Sequence, residues 1–460
     1  MPDLSHVFKA YDLRGVVPDE LDERVACAVG AAFVSVAGVP RDGGAVVVGY
    51  DMRPSSPALV AAFGEGVRSV GASVVEIGLA STDQLYFASG RLDLPGAMFT
   101  ASHNPAQYNG IKLCRAGAVP IGRETGLAQI RAMVEARLGR AAPGRVSPAG
   151  DARLEHRDLL AGYAEHLHEL VPVRGRRLTV VVDAGNGMAG HTAPAVFADL
   201  DVDLVPLFFE LDGTFPHHEA NPIEPDNLRD LQAAVREHGA DLGLAFDGDA
   251  DRCFVVDERG DAVAPSALTA LIAVRELQRE PGAAVIHNLV TSRVVPEVVT
   301  AHGGTPVRTR VGHSYIKATM AETGAIFGGE HSGHFYFRDF WRADSGMLAA
   351  LHTLAALAAT DRPLSQLLAG YTPYAGSGEI NSTVTDPPAV IAACEREYAT
   401  MPGVRLDHLD GLTVSHAEWW FNVRASNTEP LLRLNVEGND RPTMVRVRDA
   451  ALALIRSDHR

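Results

Sequence analysis

The sequence lacks the features of secreted and membrane-spanning proteins. It has only four cysteines, widely spaced and without a CxxC pair, which excludes a disulfide framework and predicts reduced thiols. Its longest apolar run, around MLAALHTLAALAA, is too short and too interrupted to cross a bilayer. The first residues, MPDLSHVFKAYDLRG, contain no apolar core of signal-peptide length. We therefore expect a cytoplasmic protein.

Positive charge is also scarce. The chain has 41 lysines and arginines against 57 acidic residues, a net charge of −16. Such a chain repels nucleic acid and anionic membranes, so we expect neither as a partner, and no protein partner is implied. An anionic substrate would need cations gathered in particular loops. The length of 460 residues predicts about three or four domains.

A repeated pattern of strand, polar loop and helix runs through most of the chain. Apolar runs end in Gly-, Asp- or Asn-rich loops in AVVVGYDMRPSSP, GAMFTASHNP, LTVVVDAGNGMAG, LGLAFDGDADR, AAVIHNLVTS and AIFGGEHSGH. This alternation predicts α/β units with mixed or parallel sheets, whose ligands collect at the carboxyl ends of strands. After about residue 378 the pattern becomes strand-rich and closes with one helix, which predicts a smaller α+β domain.

Three aspartates at alternate positions follow an apolar run in AFDGDADR: Asp247, Asp249 and Asp251. Carboxylates this close raise each other's pKa unless a cation lies among them, and oxygen ligands favour Mg²⁺ or Ca²⁺. Glu258 falls at the twelfth position of a calcium loop, but Arg252 occupies the sixth, where such loops need glycine. We therefore predict Mg²⁺, with a solvated acidic turn as the alternative.

Two further loops have the chemistry of sugar-phosphate binding. RASNTEP (424–430) gathers a guanidinium, hydroxyls and an amide, which suit a phosphate, although a β-turn with an Asx cap explains it too. In GGEHSGH (328–334), Glu330 and Ser332 can bind vicinal sugar hydroxyls and His334 can exchange a proton. A zinc site of Glu330, His331 and His334 would lack the helix and third ligand of zinc hydrolases.

Ser102, in TASHNP, is the candidate nucleophile. It does not lie in a GxSxG elbow. Adjacent side chains of an extended loop point in opposite directions, so we expect His103 to be a poor base for it. The aspartate triad and the phosphate loop instead predict that Ser102 carries a phosphoryl group neutralised by Mg²⁺. The alternative is a capping serine in an Asn-Pro turn.

The motifs occur in one order along the chain: KAYDLRG (9–15), TASHNP (100–105), NGIK (109–112), DGDADR (247–252), VGHSYIK (311–317), GEHSGH (329–334) and RASNTEP (424–430). In this the chain resembles the α-D-phosphohexomutase superfamily from end to end, and most closely its bacterial phosphomannomutase/phosphoglucomutase branch. The resemblance implies three similar α/β domains with mixed sheets and a C-terminal α+β, TATA-binding-protein-like domain around a central cleft. The domain boundaries we expect are 1–150 (phosphoserine loop), 151–254 (metal-binding loop), 255–367 (sugar-binding loop) and 368–460 (phosphate-binding loop).

The resemblance also implies a role for each site residue. Ser102 is the phosphorylated residue, and one of its phosphate oxygens would complete a Mg²⁺ site with Asp247, Asp249 and Asp251. The general acid and base candidates are Lys112, His334 and Arg14. The residues implied in substrate binding are Tyr11, Arg252, His313, Glu330, Ser332, His334, Arg424, Ser426, Asn427 and Thr428. One departure is HNLVTS (287–292), where relatives often have a basic residue just before the threonine and this chain has none until Arg293.

The implied activity is the interconversion of hexose 6-phosphate and hexose 1-phosphate, with mannose and also glucose, through a hexose 1,6-bisphosphate. Three alternatives compete with it. A phosphoglucosamine mutase is expected to have GEQSGH, whereas His331 stands in place of that glutamine. A serine hydrolase needs a catalytic triad that we cannot place. A non-catalytic sugar-phosphate-binding relative could dispense with Ser102 or an aspartate, yet all are present.

Overall fold

The computed structural model describes residues 3–40, 43–139, 147–426 and 431–457. The chain divides into two compact units. The first unit consists of Met1–Val263 and Ser332–Ser365, and the second of Ala264–His331 and Gln366–Arg460. Within the described ranges, no helix combines the length and the apolar character needed to cross a bilayer.

A mixed seven-stranded sheet forms the N-terminal part of the first unit. Its main path, in spatial order, is Leu13–Val16, Tyr108–Arg115, Gly96–Phe99, Ala45–Tyr50, Ser73–Leu79 and Leu154–His156, with Val119–Pro120 beside Tyr108–Arg115. The central strands pair in parallel, whereas Tyr108–Arg115 is antiparallel to both of its neighbours on this path. Strand Gly96–Phe99 is entirely buried, as its apolar sequence GAMF predicts, and it leads directly into the TASHNP loop.

Helices Glu23–Val36 and Ser56–Arg68 cover this sheet with their backbones in close approach. A Cβ atom at Gly30 would lie 2.2 Å from the carbonyl oxygen of Phe63, and one at Gly66 would lie 1.9 Å from that of Cys27. Only glycine permits this spacing, which brings two apolar helix faces together. Helices Thr82–Leu92 and Ala128–Leu138 complete this part of the fold.

The first unit contains a second mixed sheet, of five strands. In spatial order these are Ala262–Val263, Cys253–Asp257, Leu242–Phe246, Leu178–Asp183 and Val202–Leu207. Its helices are Leu160–Leu170, Ala189–Phe197 and Arg229–His238. Leu242–Phe246 is the central strand and is buried along its whole length, which places the loop that follows it at the carboxyl edge of the sheet. An antiparallel pair, Phe335–Phe337 with Ala343–Asp344, and helix Gly346–Ala358 also belong to this unit.

The second unit combines a parallel and an antiparallel sheet. Strands Thr305–Thr309, Ala284–Asn288 and Phe327–Gly329 pair in parallel, and helices Pro265–Arg279, Val294–Ala301 and His313–Thr323 accompany them. The antiparallel sheet runs Ala375–Thr383, Leu431–Gly438, Trp419–Ala425, Leu412–Ser415 and Arg405–Asp407, with helices Pro387–Tyr398 and Arg441–Arg456. The predicted fold class, mixed α/β sheets with a C-terminal α+β part, is confirmed.

Candidate active site

Ser102 lies in the loop that follows the buried strand Gly96–Phe99 and has a strained conformation. Its φ is 50°, a left-handed value that is uncommon outside glycine, and the residue is 5% exposed. Its hydroxyl donates to Oδ2 of Asp247 over 2.7 Å. A strained backbone persists only where the surrounding structure holds it in place, and such residues cluster at functional sites.

The prediction that His103 points away from Ser102 is wrong. Oγ of Ser102 lies 3.1 Å from Nδ1 of His103, because the backbone at Ser102 is left-handed and not extended. The same Nδ1 lies 2.7 Å from Nη2 of Arg252, which can only donate. Burial, and then the charge of Arg252, lower the pKa of His103 well below its usual value. His103 is therefore a neutral imidazole whose Nδ1 is already engaged.

Arg53 holds the Ser102 loop in place and was missed from the sequence. The residue is 1% exposed, and its guanidinium donates to the backbone carbonyls of Ser102, Asn104, Pro105 and Tyr108 over 2.7–2.9 Å. Asp51 accepts its Nε at 3.1 Å. The only signal in the sequence was the DMRPSSP loop after a strand, where an arginine ordinarily faces solvent.

The three aspartates of AFDGDADR converge beside Ser102. Asp247, Asp249 and Asp251 are each at most 1% exposed, and one carboxylate oxygen from each lies within 4.8 Å of those of the other two. Gly248 makes this possible, since a Cβ atom there would lie 2.4 Å from the carbonyl oxygen of Ser102. The two loops approach each other backbone to backbone.

Two cationic side chains, Lys112 and Arg252, form ion pairs with the carboxylates of the triad. Nζ of Lys112 lies 2.6 Å from Oδ2 of Asp249 and 2.6 Å from Oδ2 of Asp251. Nε of Arg252 donates to Oδ2 of Asp247 over 2.8 Å. Burial alone would raise the pKa of Asp249, but Lys112 lowers it below its usual value. The pKa of Asp247 is raised, chiefly by burial.

The triad has the donor set of a divalent-cation site. Oδ1 of Asp249 and Oδ1 of Asp251 are buried and accept no hydrogen bond from any residue that the structure describes. Carboxylate oxygens without protein donors suit a hard cation such as Mg²⁺. The calcium-loop alternative is not supported, because both carboxylate oxygens of Glu258 accept from Ser365 instead, the backbone N–H at 3.0 Å.

The first unit also places His334 near the triad. Nε2 of His334 lies 3.6 Å from Oδ1 of Asp251, and its Nδ1 lies 2.9 Å from the hydroxyl of Ser332. Asp344 joins His334 and Asp251 in a second group of possible metal ligands. Neither group of possible ligands found among the described residues includes Glu330 or His331, the other members of the zinc alternative.

Arg14 lies on the first strand, Leu13–Val16, and Tyr11 lies on the segment that precedes it. The guanidinium of Arg14 donates to Oδ1 of Asn104 over 2.5 Å and to Oδ2 of Asp12 over 2.6 Å. The first of these bonds ties Arg14 to the loop of Ser102. Tyr11 is half-buried. The structure thus brings Arg14, Lys112, Arg252 and His334 into the same unit as Ser102 and the triad.

Glu330 lies in the second unit and is 2% exposed. Its Oε1 accepts from Nδ2 of Asn288 and from the backbone N–H of Gly312, both over 3.1 Å. Asn288 belongs to the HNLVTS segment, so this segment orients Glu330 although it lacks the expected cation. Val290, two residues further on, packs against Leu289 and Trp420. The side chain of His313 lies outside the described residues.

Arg424, at the beginning of RASNTEP, is 6% exposed and donates to Oε2 of Glu379 over 2.9 Å. Arg433 donates to Oε1 of the same carboxylate over 3.0 Å, and its Nη2 lies 3.4 Å from Oγ of Ser426. Neither Glu379 nor Arg433 was singled out from the sequence. Asn427 and Thr428 lie outside the described residues.

Comparison with protein families matches all four parts of this architecture. Models of the phosphoglucomutase/phosphomannomutase family match in chain order: α/β/α domain I at residues 5–139, domain II at 161–260, domain III at 264–374 and the C-terminal domain at 379–454.

Individual relatives agree over nearly the whole chain. A phosphomannomutase of Salmonella montevideo is 40% identical over 95% of this chain and 96% of its own. A phosphomannomutase/phosphoglucomutase of Pseudomonas aeruginosa is 37% identical over 96% of this chain and 94% of its own. The crystal structure of a family protein from Burkholderia thailandensis superposes with a TM-score of 0.87 at 34% identity, covering 100% of this chain and 99% of that one.

The fold and the relatives therefore show a phosphohexomutase, an enzyme of the isomerase class. The chain belongs to the phosphoglucomutase/phosphomannomutase family, which confirms the resemblance to the bacterial branch of the α-D-phosphohexomutase superfamily.

Proposed function

We propose that this phosphohexomutase interconverts the 6-phosphate and 1-phosphate of mannose and also of glucose, through phospho-Ser102 and a hexose 1,6-bisphosphate. The observation that carries the proposal is the buried Ser102 hydroxyl, 2.7 Å from Asp247 in a group of three carboxylates. A relative whose name includes both activities supports the two sugars. We further propose four domains with the boundaries 1–150, 151–254, 255–367 and 368–460.

Asp247, Asp249, Asp251 and an oxygen of phospho-Ser102 would hold Mg²⁺. The cation would neutralise the charge of the phosphoryl group. The two orphaned carboxylate oxygens of Asp249 and Asp251 support this ligand set. Arg53 would hold the loop so that Oγ of Ser102 faces the triad.

The side chains that we propose for proton transfer lie beside the aspartate triad. Nζ of Lys112 and Nε2 of His334 both lie near Asp251, at 2.6 Å and 3.6 Å from its oxygens. Either can exchange a proton with the hydroxyl that accepts or releases the phosphoryl group. Arg14 is the third candidate, and its bond to Asn104 ties it to the serine loop.

The remaining predicted residues would bind the hexose phosphate. Glu330 and Ser332 would take sugar hydroxyls, while Arg424, Ser426, Asn427 and Thr428 would hold the phosphate that is not being transferred. Tyr11, Arg252, His313 and His334 would complete the substrate site. Hexose phosphates are thus the partners we propose, and the four scattered cysteines, without a CxxC pair, fit a reducing compartment such as the cytoplasm.

The decisive experiment is turnover of mannose 1-phosphate, glucose 1-phosphate and N-acetylglucosamine 1-phosphate with Mg²⁺ and trace glucose 1,6-bisphosphate. We expect the first two to be converted, a chelator to stop conversion, and Ser102→Ala to abolish it. Ser35→Ala, on the exposed side of helix Glu23–Val36, is the matched control. Undiminished turnover by Ser102→Ala, or turnover of the N-acetylated sugar alone, would contradict the proposal.

A further inference from the structure

Arg424 and Arg433 stand directly opposite each other on two antiparallel strands of the second unit. They are Cα partners in the pairing of Trp419–Ala425 with Leu431–Gly438. Like charges at such a position destabilise a sheet unless something lies between them. Here the carboxylate of Glu379 receives both guanidinium groups, one on each oxygen, at 2.9 and 3.0 Å.

An irregularity in its strand sets the direction of the Glu379 side chain. Strand Ala375–Thr383 shifts register against Leu431–Gly438 between Gly376 and Glu379. Such an irregularity re-aims a side chain that regular pairing would direct elsewhere. The Cα partner of Glu379 on the neighbouring strand is Asn435. Its carboxylate nevertheless reaches Arg433, two residues before Asn435 on that strand, and Arg424 on the strand beyond it.

The cluster of two arginines and one glutamate keeps one net positive charge in a poorly solvated place. The side chains of Arg424, Glu379 and Arg433 are 8%, 19% and 27% exposed. Arg433 also reaches the phosphate loop, since its Nη2 lies 3.4 Å from Oγ of Ser426. A doubly charged phosphate bound beside Arg424 would therefore also lie near the guanidinium of Arg433. It would lie near the carboxylate of Glu379 too, which already accepts hydrogen bonds from both arginines.

We propose that Arg433 is a second cation for the untransferred phosphate and that Glu379 competes with this phosphate for both arginines. The inference rests on the proposed function. Guanidinium groups form strong paired hydrogen bonds to phosphate, so two of them without a competitor would hold it tightly. A bisphosphate intermediate that must present its other end has to leave this clamp. Glu379 limits the affinity of the clamp and takes back the arginine donors as the phosphate departs.

The test is calorimetric binding of glucose 6-phosphate, with glucose as the phosphate-free comparison. Arg433→Gln is expected to weaken binding about tenfold or more, the usual cost of a charged hydrogen bond, without affecting glucose. Glu379→Gln is expected to tighten binding several-fold and to lower kcat, because release of the intermediate slows. Exposed residues of the same domain give matched controls, Arg405→Gln and Glu397→Gln.

Two results would overturn the proposal. Arg433→Gln that binds like the wild type would remove Arg433 from the phosphate site. Glu379→Gln that weakens binding as much as Arg433→Gln would make Glu379 a positioning residue and not a competitor. Should a glutamine variant fail to fold, Arg433→Met and Glu379→Met also remove the charge and support the same conclusions. A wild type that binds glucose 6-phosphate but turns over no sugar phosphate would contradict the proposed function alone.

Discussion

The ammonium nitrogen of Lys112 lies 2.6 Å from Oδ2 of Asp249, while Oδ1 of the same carboxylate accepts no hydrogen bond from a described residue. The hydroxyl of Thr82 also donates to Oδ2, over 2.6 Å. The two oxygens of this carboxylate therefore have different roles. One orients the side chain, and the other is available for a cation.

Asp249→Asn should lower kcat/KM at least about 100-fold at saturating Mg²⁺, because it removes one of the charges that hold the cation while keeping the shape of the side chain. A Mg²⁺ titration of activity measures this, with thermal unfolding to confirm that the variant folds. Asp261→Asn, at an exposed position, is the control. Wild-type activity in Asp249→Asn, or activity that persists in chelator, would show that the loop is structural.

Purified protein should carry one phosphoryl group, on Ser102. The buried hydroxyl lies beside three carboxylates, and the Nδ1 of His103 that lies 3.1 Å from it also accepts from Arg252, so we do not expect this imidazole to act as the base of a hydrolase. Intact mass and peptide mass spectrometry decide the point, before and after incubation with glucose 1,6-bisphosphate. Protein that is unmodified and also accepts no phosphate from the bisphosphate would refute the role of Ser102.

The sequence predicted that Ser102 and the aspartates belong together, and it predicted their local geometry less well. The alternating aspartates and their apolar flanks identified the loop that the structure buries beside Ser102. His103 was misplaced because the argument assumed extended backbone, and a left-handed serine is not recognisable from composition. Arg53 and Glu379 were missed for a different reason. Each acts through contacts with residues far away in the chain, and a lone charged residue ordinarily indicates a solvated surface.

Arg53→Lys should lower kcat/KM by about tenfold or more and reduce thermal stability. Lysine keeps the charge but cannot reproduce a planar fork that serves four loop carbonyls and Asp51 together, and each lost charged hydrogen bond costs about 1.5–3 kcal/mol. Steady-state kinetics and the Tm measure the two effects. Arg68→Lys provides the comparison, since within the described ranges the guanidinium of Arg68 donates only to the carbonyl of Gly64, over 3.3 Å. Arg53→Lys indistinguishable from Arg68→Lys would contradict the role of Arg53.

Ionisation of Asp83 should lower the stability of the folded protein as the pH rises from about 4 to about 6. Burial raises its pKa from 3.8 to about 6, against the opposing effect of hydroxyl donors from Ser345, Ser81 and Tyr163. The folded state thus binds the proton more tightly than the unfolded state. This contribution is complete below the unfolded pKa and is lost as pH rises through the folded one, by at most ~3 kcal/mol. The negative charge of Asp251, like burial, raises the pKa of Asp83.

Asp83→Asn removes this titration, so its Tm should depend less on pH than that of the wild type. Calorimetric scans from pH 4.5 to pH 7.5 at constant Mg²⁺ and a fixed scan rate test it. Asp93→Asn, exposed at the other end of helix Thr82–Leu92, is the control and should retain the wild-type slope. Parallel curves for Asp83→Asn and the wild type would show that Asp83 does not titrate in this range.

The choice of sugar should follow the hydroxyls that Glu330 and Ser332 can reach. Mannose and glucose phosphates differ only at carbon 2, and their hydroxyls 3 and 4 have the same orientation. Nothing in GEHSGH is an obvious reader of carbon 2. Both should therefore be substrates within roughly a hundredfold in kcat/KM, or about 3 kcal/mol of discrimination. Galactose phosphate inverts carbon 4 and should be rejected more strongly, since it leaves a buried polar group unpaired.

Parallel kcat/KM measurements on the three 1-phosphates decide the matter. Glu330→Gln should lower the values for mannose and glucose by similar factors, because the hydroxyls that we propose it reads are common to both. The buried Oε1 of Glu330 would keep its bonds from Asn288 and Gly312 through the amide oxygen, so the variant should fold. Strict mannose specificity would require a carbon-2 contact elsewhere in the chain. Efficient turnover of galactose 1-phosphate would remove Glu330 and Ser332 from the role proposed for them.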